Sequence, residues 1–143
     1  MKVTQISVFL ENKSGRLAEV AQALAQQRIN IRALSIADTI DYGVLRLIVN
    51  DPHGAREALD KAGFTATETD VIAVEMPDQP GALAKIIRLL SDQNINIEYG
   101  YAFVGRSGEN AIVVFRIDAL EEAIRCLTEA GVRLLKAEEV YAI

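Results

Sequence analysis

The chain has 143 residues, half of them hydrophobic, a formal net charge of −5 and a single cysteine. The acidic balance argues against nucleic acid or an anionic membrane as the main partner, because either wants a clustered Lys/Arg surface. No apolar run approaches the ~18 residues that span a bilayer, residues 1–10 lack a signal peptide's apolar stretch and cleavage site, and one cysteine makes neither an internal disulfide nor a Cys-based zinc site. The expectation is a cytoplasmic protein.

Residues 1–10 alternate into Ile6, Val8 and Leu10 and predict a strand. Asn12-Lys13-Ser14-Gly15-Arg16-Leu17 punctuates it. Leu17, Val20, Ala21 and Leu24 then recur at i, i+3, i+4 and i+7, the stripe of an amphipathic helix. Two strands, 29–38 and 44–50, flank a turn at 39–43. Ala55, Ala58, Leu59 and Ala62 form a second helical stripe that stops at Gly63. A strand at 64–68 closes the set.

The pattern then repeats. Sixty-six residues after Gly15, Gly81 stands in Asp78-Gln79-Pro80-Gly81-Ala82-Leu83. The same step carries the helical stripe onto Leu83, Ile86, Ile87 and Leu90, and Gln27-Arg28-Ile29-Asn30-Ile31 onto Gln93-Asn94-Ile95-Asn96-Ile97. The second stripe returns 68 residues on as Ala123, Cys126, Leu127 and Ala130, with Gly131 as its stop. The two extra residues fall in the middle turn, 105–110, and a last strand is predicted at 132–140. The order per copy is β-α-β-β-α-β, a ferredoxin-like split βαβ unit: an α+β fold with an antiparallel sheet and both helices on one face. The predicted domains are residues 1–68 and 69–143, with no Gly/Ser/Pro-rich linker between them. Ala111-Ile112-Val113-Val114-Phe115 is apolar on both faces, and Val44-Leu45-Arg46-Leu47-Ile48-Val49 nearly so. Such strands are usually covered on both sides, so the face opposite the helices is expected to lie against a second sheet, most simply in a homodimer.

The turn between first strand and first helix is the strongest candidate site. Gly15 and Gly81 allow a sharp turn and a close approach. The helix that follows begins with unpaired N–H groups and the positive end of its dipole, a seat for a carboxylate or phosphate. Asp78 adds a carboxylate and Asn12 an amide, which together suit an amino acid's ammonium and carboxylate.

Asp78-Gln79-Pro80-Gly81-Ala82-Leu83, followed one helix later by Asn96-Ile97, resembles the ACT domain pattern, once per copy over the whole chain. The resemblance implies a βαββαβ fold, side-by-side pairing into an eight-stranded sheet, and a non-enzymatic regulatory domain. It also implies a small-molecule ligand, often an amino acid, near the domain interface, and association with a metabolic enzyme or regulator. Its ligand-binding residues would be Asn12, Lys13, Ser14, Gly15, Arg16, Leu17 and Asn30, and Asp78, Gln79, Pro80, Gly81, Ala82, Leu83 and Asn96. Copy one departs from the pattern, with Asn12 for Asp and Ser14 for Pro, which predicts unequal affinity at the two loops. No cofactor or metal is implied.

Each residue also has a structural reading. The glycines can be simple turn formers, Asp78 and Asn12 helix caps, and Asn30 and Asn96 partners of local backbone. Leu17 and Leu83 read first as core, Lys13 and Arg16 as solvated charges, His53 as a surface residue and Cys126 as a small buried apolar residue. Tyr99, Tyr101 and Phe103 read as core or interface before an aromatic ligand wall. Competing functions are a ligand-free interaction subunit, an acylphosphatase-like enzyme using Arg16, and an RNA-binding sheet; the last would need aromatics on a basic open face.

Overall fold

The computed structural model describes residues 1–38, 41–103 and 108–143. The chain divides into two compact units. One comprises residues 4–69 with 141–143, the other residues 70–140 with 1–3. The elements are β1 (Val3–Glu11), α1 (Arg16–Gln26), β2 (Ile31–Asp38), β3 (Tyr42–Val49), α2 (Pro52–Lys61), β4 (Thr65–Pro77), α3 (Ala82–Asp92), β5 (Ile97–Ala102), β6 (Asn110–Ile117), α4 (Leu120–Glu129), β7 (Arg133–Leu134) and α5 (Ala137–Ala142). This is the α+β fold of two βαββαβ repeats. Seven strands fill eight places, because the 13-residue β4 is both the last strand of one repeat and the first of the next.

In the first unit β3 lies antiparallel between β2 and β1. Leu47 faces Ile6 and Leu34, and Leu45 faces Val8 and Ile36. Ile6, Val8, Leu45 and Leu47 meet Val20 and Leu24 of α1 and Ala55 and Leu59 of α2 in one buried cluster. In the second unit β6 lies antiparallel between β5 and β4, and β7 also pairs with β4. Ile72, Val74, Phe115 and Ile117 there meet Ile86, Leu90, Ala123 and Leu127. The helical stripes thus occupy matching positions in the two cores. Leu24 and Leu90, each at most 1% exposed, contribute about 1.5–3 kcal/mol apiece by burial.

The stripes are wider than the surfaces they cover. Leu17 and Leu83, expected in the core, are 45% and 44% exposed, and Ile87 is 41% exposed. Only the i+3 and i+7 members, Val20 with Leu24 and Ile86 with Leu90, face the sheet fully.

The strand expected at 132–140 is only two residues long, and residues 137–140 of its span belong to α5. Leu134 and Leu135 are adjacent yet both buried, which a period-2 strand cannot achieve on one face. Lys136 N–H donates to Glu139 Oε2 at 2.7 Å, and Val140 N–H donates to the Lys136 carbonyl at 3.1 Å, so a helical turn takes over.

The second face of the sheet strands is buried in part. Ala33 and Ile48 of the first unit, and Ala73, Val114 and Val140 of the second, are 0–1% exposed within the single chain. Phe9, opposite Val44 on the same face of the first unit, is 52% exposed. Of the two middle turns, residues 39–40 and 105–107 lie outside the described residues, including half of the turn that holds the two-residue insertion.

Candidate functional site

The two strand-to-helix loops share one backbone. In the first, Asn12 N–H donates to the Asp41 carbonyl at 2.9 Å, Lys13 N–H to Glu11 at 2.8 Å, and Arg16 N–H to Lys13 at 3.3 Å. In the second, Asp78 N–H donates to Glu109 at 2.9 Å, Gln79 N–H to Pro77 at 2.9 Å, and Ala82 N–H to Gln79 at 3.3 Å. Only the glycine and the leucine are common to the two hexapeptides. Gly15 and Gly81 sit at φ +91° and +89°, and a Cβ on either would meet nothing within 4 Å. The positive φ, not crowding, therefore demands glycine.

Both glycines are helix N-caps, and neither helix has a side-chain cap. Asn12 and Asp78 thus do not take the capping role. Helix geometry leaves the amides of Leu17 and Ala18, and of Leu83 and Ala84, without intrahelical acceptors. Each loop presents an electropositive, uncapped helix start.

The side chains around the loops differ sharply. In the first unit, Lys13 Nζ lies 2.8 Å from Glu11. Arg16 lies 3.0 Å from both Glu11 and Glu19, and its guanidinium is 6.0 Å from the Phe64 ring centroid. Hydrogen bonds from Lys13 and then Arg16 hold the Glu11 carboxyl below its ordinary value. Glu19 and then Glu11 raise Arg16 in turn. These loop charges are paired rather than simply solvated.

In the second unit the same region is a cavity of about 390 Å³, lined by Pro77, Gln79 and Ala82 of the loop, by Glu75, Lys85 and Arg133, and by the apolar Met76 and Ile86 beneath. Asp78 and Pro80 are exposed beside it, and the Asp78 side chain makes no hydrogen bond or ion pair among the described residues. Asn96 is not part of this cavity. It lines a separate hollow with Ile87, Ser91 and Asn94. Asn30 is held through its main chain: its carbonyl accepts from Asn50 N–H, 3.1 Å, and its N–H donates to Asn50 Oδ1, 2.8 Å. Sequence reasoning missed Glu75, Lys85 and Arg133. The available signal was charge at aligned positions: Lys85 stands where copy one has Glu19.

Elsewhere, His53 is exposed with Glu57 at 3.3 Å, and Cys126 is half-buried with its thiol donating to the Leu89 carbonyl at 3.5 Å. Tyr99 and Tyr101 are half-buried, Tyr101 opposite Val114. Among the described residues no cluster of His, Cys, Asp or Glu could hold a metal ion, and no helix is long and apolar enough to cross a membrane.

The family model for the ACT domain pair matches residues 1–143. The chain belongs to the ACT domain pair family. A Bacteroides thetaiotaomicron protein of solved structure is 44% identical, covering 100% of this ACT pair and 98% of its own chain, with a TM-score of 0.94. The regulatory subunit of aspartate kinase from Thermus thermophilus, in ligand-free form, is 22% identical over 89% of this chain and 91% of its own, TM-score 0.65. That from Thermus flavus is 24% identical over 90% and 92%, TM-score 0.60. At that identity the likeness is one of fold. No match was found among the curated proteins. In ACT terms, the uncapped loops of both repeats are intact in backbone; the second opens onto the cavity above, and a hollow of about 530 Å³ lies against Ala18, Glu19 and Phe64 of the first unit.

Proposed function

We propose that this ACT pair is a non-catalytic regulatory protein that binds an amino acid at its strand-to-helix loops, residues 12–17 and 78–83. The observation that carries the reading is the family match over residues 1–143, and the two uncapped glycine turns support it. Fold-similar chains that are regulatory subunits of aspartate kinase suggest a metabolic enzyme as the regulated partner. Leu83 and Ile87, exposed one turn apart on α3, support a homodimer or enzyme contact. They also favour the second reading, an interaction subunit that binds no ligand. An acylphosphatase-like reaction is disfavoured, because Arg16 is engaged by Glu11, Glu19 and Phe64.

The test is thermal unfolding with each of the twenty amino acids at millimolar concentration. A ligand that binds only the folded state adds RT ln(1 + [L]/Kd), about 2.7 kcal/mol at 100-fold excess over Kd. Gly15→Val with Gly81→Val should abolish the shift while leaving the circular dichroism largely intact. No shift with any amino acid favours the interaction subunit. Binding retained in that double variant would put the ligand away from these loops.

A further inference from the structure

β2 is an end strand of the first unit. Its inner edge pairs with β3, and no strand pairs with its outer edge among the described residues. From Arg32 to Asp38 it reads Arg-Ala-Leu-Ser-Ile-Ala-Asp. Residues 33–37 carry neither charge nor proline, the devices that commonly blunt an exposed edge. Leu34 and Ile36 are 40% and 48% exposed, although they oppose the buried Leu47 and Leu45 of β3. The apolar rows of the sheet thus run out to an open edge.

The segment is complementary to itself. Laid antiparallel to a second copy about Ser35, Ala33 meets Ala37, Leu34 meets Ile36, and Arg32 meets Asp38. Directly opposite residues of an antiparallel pair share a face. Each Leu34–Ile36 contact therefore joins the Leu47 row of one copy to the Leu45 row of the other. Each Arg32–Asp38 pairing sets opposite charges across the strands, and two-fold symmetry makes every such contact twice. A slip of two residues sets Asp38 against Leu34, or Arg32 against Ile36, and loses the charge match. Arg32 makes no ion pair among the described residues: it donates from Nη2 to the Tyr141 carbonyl at 3.3 Å, and its Nε is buried without an acceptor. β5, the end strand of the second unit, is a poorer partner for β2. At the matching register Leu34 meets Ala102, Ile36 meets Gly100, and Asp38 meets Glu98, which opposes like charges.

We infer that the outer edge of β2 docks a second copy of this chain, the two β2 strands pairing antiparallel about Ser35 into one continuous sheet, with Arg32 against Asp38 fixing the register. This goes beyond the ligand reading and stands whether or not an amino acid binds.

The experiment is disulfide mapping of the full chain in a Cys126→Ala background. Ser35→Cys sets one thiol opposite its own copy, within disulfide reach for directly opposed strand residues. Mild oxidation should convert most of that variant to covalent dimers. Tyr101→Cys stands at the position that meets Ser35 in the β2–β5 register, and intact mass should show no link between it and Ser35→Cys when the two variants are mixed. Sedimentation equilibrium checks the register without a new thiol. The unaltered chain should be a dimer at micromolar concentration. Arg32→Asp and Asp38→Arg should each weaken it about tenfold, with circular dichroism unchanged, and the two together should restore it, because the symmetry pairs the swapped charges again. If Ser35→Cys fails to fold, the charge variants decide. A monomer, a folded Ser35→Cys variant that does not link, a Ser35–Tyr101 link, or a double charge variant as weak as the single ones overturns the proposal. Each of these leaves the amino-acid reading untouched.

Discussion

Replacing Gly81 with alanine isolates what the loop backbone costs. The residue sits at φ +89°, and the added Cβ would meet no atom within 4 Å. Packing and sterics with neighbours therefore drop out, leaving the left-handed conformation, which costs an L-residue about 1–2 kcal/mol. For a chain of this length that is a fall in Tm of about 2–8 °C. Gly15→Ala should cost the same, since its φ is +91° and its surroundings are equally open. Gly100→Ala is the contrast. Its Cβ would lie 2.8 Å from Phe115 Cδ1 and 3.0 Å from the Val114 carbonyl, so its added cost should shrink when Phe115 is first trimmed to alanine. Trimming a neighbour cannot help Gly81→Ala. Urea unfolding followed by circular dichroism measures all four variants. A loss below about 0.3 kcal/mol for Gly81→Ala, against that left-handed cost, would refute the argument that φ alone requires glycine there.

Leu24→Ala and Leu90→Ala remove buried side chains at matching positions in the two cores and should each cost about 2–5 kcal/mol in urea unfolding. Arg28 and Asn94 both sit at φ 58° where their helices end. Arg28→Gly should therefore stabilise by about 1 kcal/mol, and Asn94→Gly by less, because asparagine tolerates this conformation. The carboxyls of Glu11, Glu121 and Glu139 are held below their ordinary 4.5, chiefly by Lys13, by Lys2 and by the Lys136 amide. Their support is present above that value and lost as pH falls through the lower folded values. Thermal stability should therefore decline below about pH 4.5, and Glu11→Gln, Glu121→Gln and Glu139→Gln together should flatten the decline.

The repeat made the fold legible, because helical periodicity at Val20 and Leu24 recurs in register at Ile86 and Leu90. Periodicity alone does not show which half of each stripe the sheet covers, and so does not reveal that Leu17 and Leu83 are exposed. The end of the chain misled for a different reason: Val132, Leu134 and Val140 suit a strand, but buried neighbours Leu134 and Leu135 and the Glu139 contact to Lys136 produce a helix. The loop glycines could be read because positive φ restricts the residue type. Lys85, Glu75 and Arg133 could not, because they come from a helix and two strands that meet only in three dimensions.

The two loops make the same three backbone hydrogen bonds although four of their six residues differ. Main chain and one glycine thus specify the shape, and residues as different as Arg16 and Ala82 are compatible with it. A whole hexapeptide can therefore be grafted from one repeat to the other without redesigning the fold that carries it.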